Sequence, residues 1–168
     1  MTPTTTILAI DPSINHIGWA VGDVKHGAIE PEIKAYGTLH MKSGKLTPIL
    51  QRLGEIETKV QELITSCDDI DLCIYEQPNS WTRGKKNVKS LGLLQRAIGC
   101  IIETVSGNRI PLKAVPVDEW KGNAPKVNKR QFEALYGDRP SSEHARDAVM
   151  MLRWYVNNER IQGMIEER

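Results

Sequence analysis

The sequence is poor in cysteine and lacks long apolar runs, and both shortages exclude whole classes of protein. Its three cysteines, Cys67, Cys73 and Cys100, are an odd number without a Cys-x-x-Cys pair. A disulfide framework and a structural zinc site are therefore not expected, and the thiols fit a reducing compartment. No apolar run approaches the ~20 residues of a membrane-spanning helix.

The N-terminus has none of the features of a targeting sequence. Residues 1–6 contain no basic segment and no apolar core, so we expect no signal peptide. We expect a cytoplasmic protein of a bacterium, of a phage-infected cell or of an organelle matrix.

Internal repeats and low-complexity segments are also missing from the sequence. The 168 residues, 40% hydrophobic and 26% charged, therefore predict one globular domain over 1–168, with 1–5 as a flexible tail.

The net charge of +1 hides a marked asymmetry along the chain. Residues 81–130 carry eleven lysines and arginines against three acidic residues, whereas residues 50–80 carry seven acidic residues against two basic ones. A basic face for a polyanion beside an acidic region would produce this distribution. Two solvated helix faces would produce it as well, so charge alone leaves both interpretations open.

Two predicted strands end in a carboxylate. The apolar run 6–10 is typical of a strand buried on both faces, and it ends at Asp11, followed by a proline that cannot continue a ladder. The run 70–75 repeats this pattern with Glu76. A long crossover separates the two runs and predicts that they are parallel, so Asp11 and Glu76 meet at one edge of the sheet. Ligands of open α/β sheets bind at this edge.

The remaining elements complete an α/β domain. Thr47 is a typical N-cap, and Pro48 suits the first position of a helix. Gly92 and Gly99 share one helix face, which indicates the close approach of a strand or a partner helix, or else slack packing. In chain order we predict strands at 6–10, 14–23, 28–41, 70–75 and 112–117, and helices from 47, over 88–105, at 118–121, over 128–136 and from 141 or 142 onward.

The last predicted helix carries His144 and Asp147, which are three residues apart and project from one face. If this helix packs against the end of the first strand, both side chains converge with Asp11 and Glu76. Three crowded carboxylates need a cation, and oxygen ligands with one imidazole suit Mg²⁺ or Mn²⁺. Two ions ~3.5–4 Å apart would stabilise the attacking and leaving oxygens of a phosphoryl displacement. Taken singly, each acid is also compatible with a structural hydrogen bond or an exposed position.

Three segments resemble the acidic motifs of RuvC-type Holliday junction resolvases, a family of the RNase H-like superfamily. They are Ile-Leu-Ala-Ile-Asp-Pro-Ser ending at Ser13, Ile-Tyr-Glu-Gln-Pro around Glu76, and His-Ala-Arg-Asp-Ala from His144. Their order and spacing agree along nearly the whole chain, and the lysine-bearing stretch 118–126 is similar too. The resemblance implies an RNase H-like three-layer α/β fold, with a mixed five-stranded sheet whose second strand is antiparallel, flanked by helices.

The same resemblance implies an activity. A homodimer would cut a four-way DNA junction by paired symmetric nicks, one at each active site. Asp11, Glu76 and Asp147 would be metal ligands, and His144 takes the position that is Asp or His in the family. In our mechanistic hypothesis a water attacks the scissile phosphate in line and leaves a 5′-phosphate and a 3′-hydroxyl. Asp11 bridges two Mg²⁺ or Mn²⁺ ions, and His144 ligates one ion or moves a proton.

Basic and aromatic side chains outside the acidic motifs are the candidate DNA contacts. Lys121 or Lys126 would stabilise charge on the phosphate. Trp81, in a basic loop just beyond the second acidic motif, is predicted to stack on an unpaired base, as the resemblance supports; the alternative is a side chain folded onto its own domain. Four residues are predicted to contact phosphates and to make binding depend steeply on salt: Arg83, Lys85, Lys86 and Lys89. Lys129 and Arg130 are further candidate DNA contacts.

Three other functions are compatible with parts of the sequence. An RNase H-like nuclease for flaps, forks, three-way junctions or RNA–DNA hybrids would carry the same acids. A DNA-binding module without catalysis is disfavoured by the intact acid set. Residues 11–18 loosely resemble the first phosphate loop of actin-like and sugar-kinase ATPases, but those enzymes need two duplicated domains. We therefore expect no nucleotide cofactor.

Overall fold

The computed structural model describes residues 3–42, 47–67, 69–79, 88–124, 127–137 and 142–166, and of residues 88–89 and 160–166 the backbone alone. No helix in these ranges is long and apolar enough to cross a membrane. Strands and helices alternate in the predicted order: β1 (Thr4–Asp11), β2 (His16–Lys25), β3 (Glu32–His40), α1 (Ile49–Ser66), β4 (Leu72–Gln77), α2 (Val88–Gly107), β5 (Leu112–Pro116), α3 (Val117–Asn123), α4 (Lys129–Tyr136) and α5 (Glu143–Glu166).

The strands form one mixed sheet in the order β3–β2–β1–β4–β5. The β1–β2 and β2–β3 pairs are antiparallel, whereas the β1–β4 and β4–β5 pairs are parallel. This is the predicted sheet, with its second strand antiparallel. The β1–β4 register runs as far as Ile10 opposite Tyr75, so Asp11 and Glu76 follow side by side on adjacent strands.

Strand β1 is buried because helices cover both faces of the sheet. Its alternate side chains enter two separate cores: Ile7 and Ala9 belong to the core that contains α5, and Leu8 and Ile10 to the core that contains α1 and α2. All four are at most 4% exposed. The unbroken apolar run in the sequence reflects this covering on two sides. The apolar part of β1 is thus enclosed between two layers of helices.

Helix α5 begins in close contact with the sheet. A Cβ atom added to Gly18 in β2 would lie 2.0 Å from the backbone oxygen of His144, so the glycine permits this approach. Ser142 fixes the same turn, because its Oγ accepts a hydrogen bond from the backbone N–H of Ala145 at 3.0 Å and shares a second with the hydroxyl of Thr38 in β3 at 2.5 Å. The first turn of α5 is therefore held against β2 and β3.

Two details differ from the sequence predictions. Strand β1 begins at Thr4, inside the predicted tail, because Thr4 pairs with Lys25 of β2. Thr47 is not the N-cap of α1: the helix begins at Ile49, and Pro48 caps it without a side-chain hydrogen bond. The carbonyl of Pro48 already accepts the first helical hydrogen bonds, from residues 51 and 52, so the cap falls one residue later than predicted.

The glycines of α2 do not serve close packing within the described part of the chain. A Cβ atom added to Gly92 or Gly99 would have no described atom within 4 Å. Packing of this helix face against a strand of the same chain is therefore not observed. Contact of this face with a partner helix stays a prediction.

Candidate active site

The deepest group of the site is Asp11, at the end of β1. Its side chain is 6% exposed, and one of its oxygens, Oδ2, lies 2.6 Å from Nδ1 of His144. The contact follows from the close approach described above, since Gly18 faces Asp11 across the β1–β2 ladder and also lies against the backbone of His144. One glycine thus brings the first strand and the last helix together at the site.

The other two acids are joined by a lysine. Nζ of Lys121, from α3, lies 3.1 Å from Oε2 of Glu76 and 2.8 Å from Oδ2 of Asp147. The indole N–H of Trp120 donates a second hydrogen bond to the same Oε2 of Glu76 at 2.9 Å. Helix α3 follows β5 directly, so these two donors arrive at the edge of the sheet where β1 and β4 also end.

Burial, hydrogen bonds and neighbouring charges together shape the acid–base properties of the site. Burial raises the pKa of Asp11 above its ordinary value, against the opposing effect of its hydrogen bond to His144. Burial and the charge of Asp11 likewise raise the pKa of Glu76. The hydrogen bond to Asp11 raises the pKa of His144. Burial opposes the charge of Lys121, but its ion pairs with Asp147 and Glu76 outweigh that effect and raise the pKa of the ammonium.

The donor types of the site suit a hard divalent cation, because oxygen ligands predominate. As they stand, no three His, Cys, Asp or Glu side chains within the described ranges are grouped so as to hold a metal ion. The cation between Glu76 and Asp147 is instead the ammonium of Lys121. The surplus of carboxylates fits a divalent ion chemically, provided that Lys121 withdraws from between the two acids.

The structure brings together five of the candidate catalytic residues, namely Asp11, Glu76, Lys121, His144 and Asp147. The sixth, Lys126, lies outside the described residues, as do four of the candidate DNA contacts, and the side chain of Lys89 is not described either. Those four are Trp81, Arg83, Lys85 and Lys86.

The last two candidate DNA contacts, Lys129 and Arg130, are exposed in the first turn of α4. Lys129 pairs with Glu133 one turn along the helix, at 3.6 Å. A groove of about 420 Å³ connects this region with the site, since its lining includes Lys121, Asp147 and Asn128, the N-cap of α4. The groove thus extends from Asp147 to Asn128, the residue that precedes Lys129 and Arg130.

The geometry also depends on two residues that the sequence does not mark as functional. Gly18 lies in a predicted strand, and only the packing of α5 reveals its role. Trp120, next to Lys121, lies in a short predicted helical turn to which the sequence assigns no function. A signal for it exists in the sequence: an indole immediately after a strand that ends at the same edge as Asp11 and Glu76 is well placed to donate to a strand-end acid.

Comparisons with known proteins agree with this architecture. No protein-family profile and no curated protein sequence matches the chain. The structure of Thermus thermophilus RuvC in complex with a Holliday junction substrate superimposes with a TM-score of 0.72 at 19% sequence identity, over 94% of this chain and 96% of that one. The chain has the fold of the RuvC resolvases.

Two further structures show the same fold. A second Thermus thermophilus RuvC structure matches 94% of this chain and 97% of its own, with a TM-score of 0.67 and 17% identity. The yeast mitochondrial Holliday junction resolvase Ydc2 matches 99% and 85%, with a TM-score of 0.61 and 10% identity. The predicted RuvC-like, RNase H-like fold is confirmed. At identities this low, the superpositions establish the fold and not the activity.

Proposed function

We propose that this protein is a divalent-metal-dependent DNA endonuclease that resolves four-way junctions. The observation that carries the proposal is the convergence of Asp11, Glu76, His144 and Asp147 at the carboxyl edge of the sheet, in a fold that Holliday junction resolvases share. Three carboxylates from two strands and a helix meet at this edge, with His144 and Lys121 as their basic partners. The mutual repulsion of the carboxylates destabilises the site without a cation, and it therefore favours the binding of divalent ions in a nuclease.

The carboxylates of Asp11, Glu76 and Asp147 would hold the proposed Mg²⁺ or Mn²⁺ ions. The ions would neutralise the acids and the scissile phosphate, which lowers the barrier to an in-line displacement. The products would be a 5′-phosphate and a 3′-hydroxyl at each nick. The fit depends on the oxygen-rich donor set and on the exposure of Lys121, whose side chain is 42% exposed and free to leave toward solvent.

His144 is better suited to proton transfer than to direct ligation through its bonded nitrogen. Its Nδ1 lies against Asp11 at 2.6 Å, and a carboxylate can only accept, so Nδ1 carries the proton in that pair. The second nitrogen, Nε2, is left to exchange a proton with a water or with the leaving oxygen. Its side chain is 37% exposed, so solvent reaches the ring. Asp11 then orients the imidazole as well as binding a cation.

Lys121 has a second proposed role once it leaves the acids. Its ammonium lies at the mouth of the site and adjoins the groove that leads to α4. A phosphate bound at the acids would offer it new oxygen partners, and a lysine there stabilises the charge that builds on the phosphate during displacement. Lys126 is proposed for the same task, and Trp81 with the basic residues of 83–89 for holding the junction.

Paired symmetric nicks require two active sites, so we propose that the functional unit is a homodimer. The α2 face that contains Gly92 and Gly99 is the proposed interface, since a Cβ added at either glycine would meet no described atom of this chain. A monomer would be expected to nick one strand and release a product that cannot be ligated as two intact duplexes.

A panel of labelled DNA substrates tests the function. Four-way, three-way, forked, flapped and linear DNA and an RNA–DNA hybrid are incubated with the full chain and Mg²⁺ or Mn²⁺, with Asp11→Asn as the matched inactive variant. We expect the four-way junction to be cut fastest, at symmetric positions, and the variant to be inactive. If flaps, forks or hybrids are cut faster than the four-way junction, that DNA is the substrate instead. If Asp11→Asn cuts the junction as fast as the wild type, the proposed active site is refuted.

A further inference from the structure

Two donors hold one oxygen of Glu76, and they differ in character. Trp120 donates its indole N–H to Oε2 at 2.9 Å, and Lys121 places Nζ 3.1 Å from the same atom. Among the contacts of the described residues, Oε1 has no protein partner. The carboxylate is therefore fixed through one oxygen and presents the other.

The two donors also differ in how firmly they are held. Trp120 is 3% exposed and belongs to the core that contains α5, whereas the side chain of Lys121 is 42% exposed. Lys121 rests on the face of the Trp120 ring, with Nζ 5.0 Å from the ring centre. The indole cannot leave without opening the core, but the ammonium can move into solvent or onto a phosphate.

The two donors also differ in charge, since Lys121 is a cation and the indole of Trp120 is neutral. A divalent cation and an ammonium compete for the same carboxylate, because like charges repel at short range. An indole N–H is a neutral donor, and it stays bound to an oxygen while the other oxygen accepts a cation. Neutral partners of this kind orient ligating carboxylates in metal sites, and their loss costs about 10- to 100-fold in metal affinity or activity.

We propose that Trp120 is a positioning residue for Glu76: its N–H anchors Oε2 permanently, while Lys121 is the exchangeable partner that yields to the incoming cation. The proposal rests on the proposed function for the identity of that cation, but the anchoring contact stands on geometry alone. Without the indole N–H, Glu76 would lose its only fixed partner among the described residues at the moment when Lys121 withdraws. Its carboxylate would then have to be ordered by the ion itself, at a cost in affinity.

The anchoring contact is tested by NMR on the full chain with ¹⁵N-labelled tryptophan. The indole signal that Trp120→Phe removes is assigned to Trp120. We expect it to move upfield in Glu76→Gln, because a neutral amide oxygen is a weaker acceptor than a carboxylate. It should stay in place in Glu32→Gln, a charge-matched control in β3 whose partner is Lys34. An indole signal that is unchanged in Glu76→Gln would overturn the proposal. If Trp120→Phe does not fold, the Trp120 signal is assigned by elimination with Trp19→Phe, Trp81→Phe and Trp154→Phe, since the chain has four tryptophans.

The positioning role is tested by titration with Mn²⁺ alone, followed by EPR of the free ion. Trp120→Phe keeps an aromatic ring in the core but removes the donor, and Trp154→Phe, in the same core, is the matched control. We expect Mn²⁺ affinity about 10-fold or more weaker in Trp120→Phe and unchanged in the control. Equal affinity in both variants would refute the role. A wild type that binds no Mn²⁺ would refute the metal-dependent function, and the indole shift would still decide the contact.

Discussion

The substitution Gly18→Ala is expected to disable the site from a position that touches no substrate. The new Cβ would lie 2.0 Å from the carbonyl oxygen and 2.2 Å from the carbonyl carbon of His144, and 2.8 Å from the amide nitrogen of Ala145. Ordinary contact begins at about 3.4 Å, so the backbone of α5 must retreat by more than 1 Å. The 2.6 Å contact between His144 and Asp11 would then break. Overpacking of this kind costs about 1–3 kcal/mol of stability, and misplacement by about 1 Å can cost 10²-fold in rate.

The assay compares two glycines of one strand. Gly22→Ala is the matched control, because its Cβ would meet Cδ2 of Leu152 at 3.0 Å and the backbone oxygen of Glu32 at 3.3 Å, contacts that need shifts of only a few tenths of an ångström. Urea unfolding gives the stability of each variant, and single-turnover cleavage of a four-way junction gives the rate. We expect Gly18→Ala to lose about 10²-fold in rate while still folded, and Gly22→Ala to stay close to wild type. A Gly18→Ala protein with wild-type stability and rate would refute the packing of α5 on β2.

Further predictions concern single side chains. Gly54→Ala, at an exposed helix position with no neighbour within 4 Å, should raise the free energy of unfolding by about 0.5–1 kcal/mol in urea; a loss would mean that the position is not open. Burial raises the pKa of Cys73 to about 12, so the folded protein holds this proton more tightly than the unfolded chain. Between pH 7 and 10 the wild type should lose about 1.4 kcal/mol more stability than Cys73→Ala, and parallel curves would contradict that burial. His144→Asn keeps a donor for Asp11 but removes Nε2, so junction cleavage should fall by about 10²-fold or more without loss of stability; full activity would exclude proton transfer through Nε2. Lys121→Met should slow cleavage by about 10²-fold while Mn²⁺ affinity does not fall, and a loss of affinity would show that Lys121 supports the ligands instead of yielding to them.

The positions of the site acids can be predicted from the sequence, because short local patterns determine them. An apolar run that ends in Asp11 or Glu76 fixes both the strand and its carboxyl terminus, and a separation of three residues fixes the common face of His144 and Asp147. A long crossover makes the two strands parallel, so the acids meet at one edge. These rules need no knowledge of the rest of the fold, and the structure agrees with them.

The contacts within the site depend on tertiary packing, which local patterns do not encode. A glycine such as Gly18 occurs in strands for many reasons. The close approach of α5, in which a Cβ added to Gly18 would lie 2.0 Å from the backbone oxygen of His144, is visible only in the folded structure. Trp120 and Lys121 reach Glu76 because β5 lies beside β4 and α3 turns back over the edge. The predicted N-cap at Thr47 is wrong by one residue, because the carbonyl of Pro48 accepts the first hydrogen bonds of the helix.

The central claim is that Asp11, Glu76 and Asp147 form one cation-dependent site for cutting junctions. Its most direct test is single-turnover cleavage of a four-way junction in Mg²⁺ by Asp11→Asn, Glu76→Gln and Asp147→Asn, with junction binding measured separately in Ca²⁺. Each variant should bind the junction as wild type does and lose at least about 10²-fold in cleavage rate. Cleavage at the wild-type rate by any one of the three, at equal binding, would contradict the account.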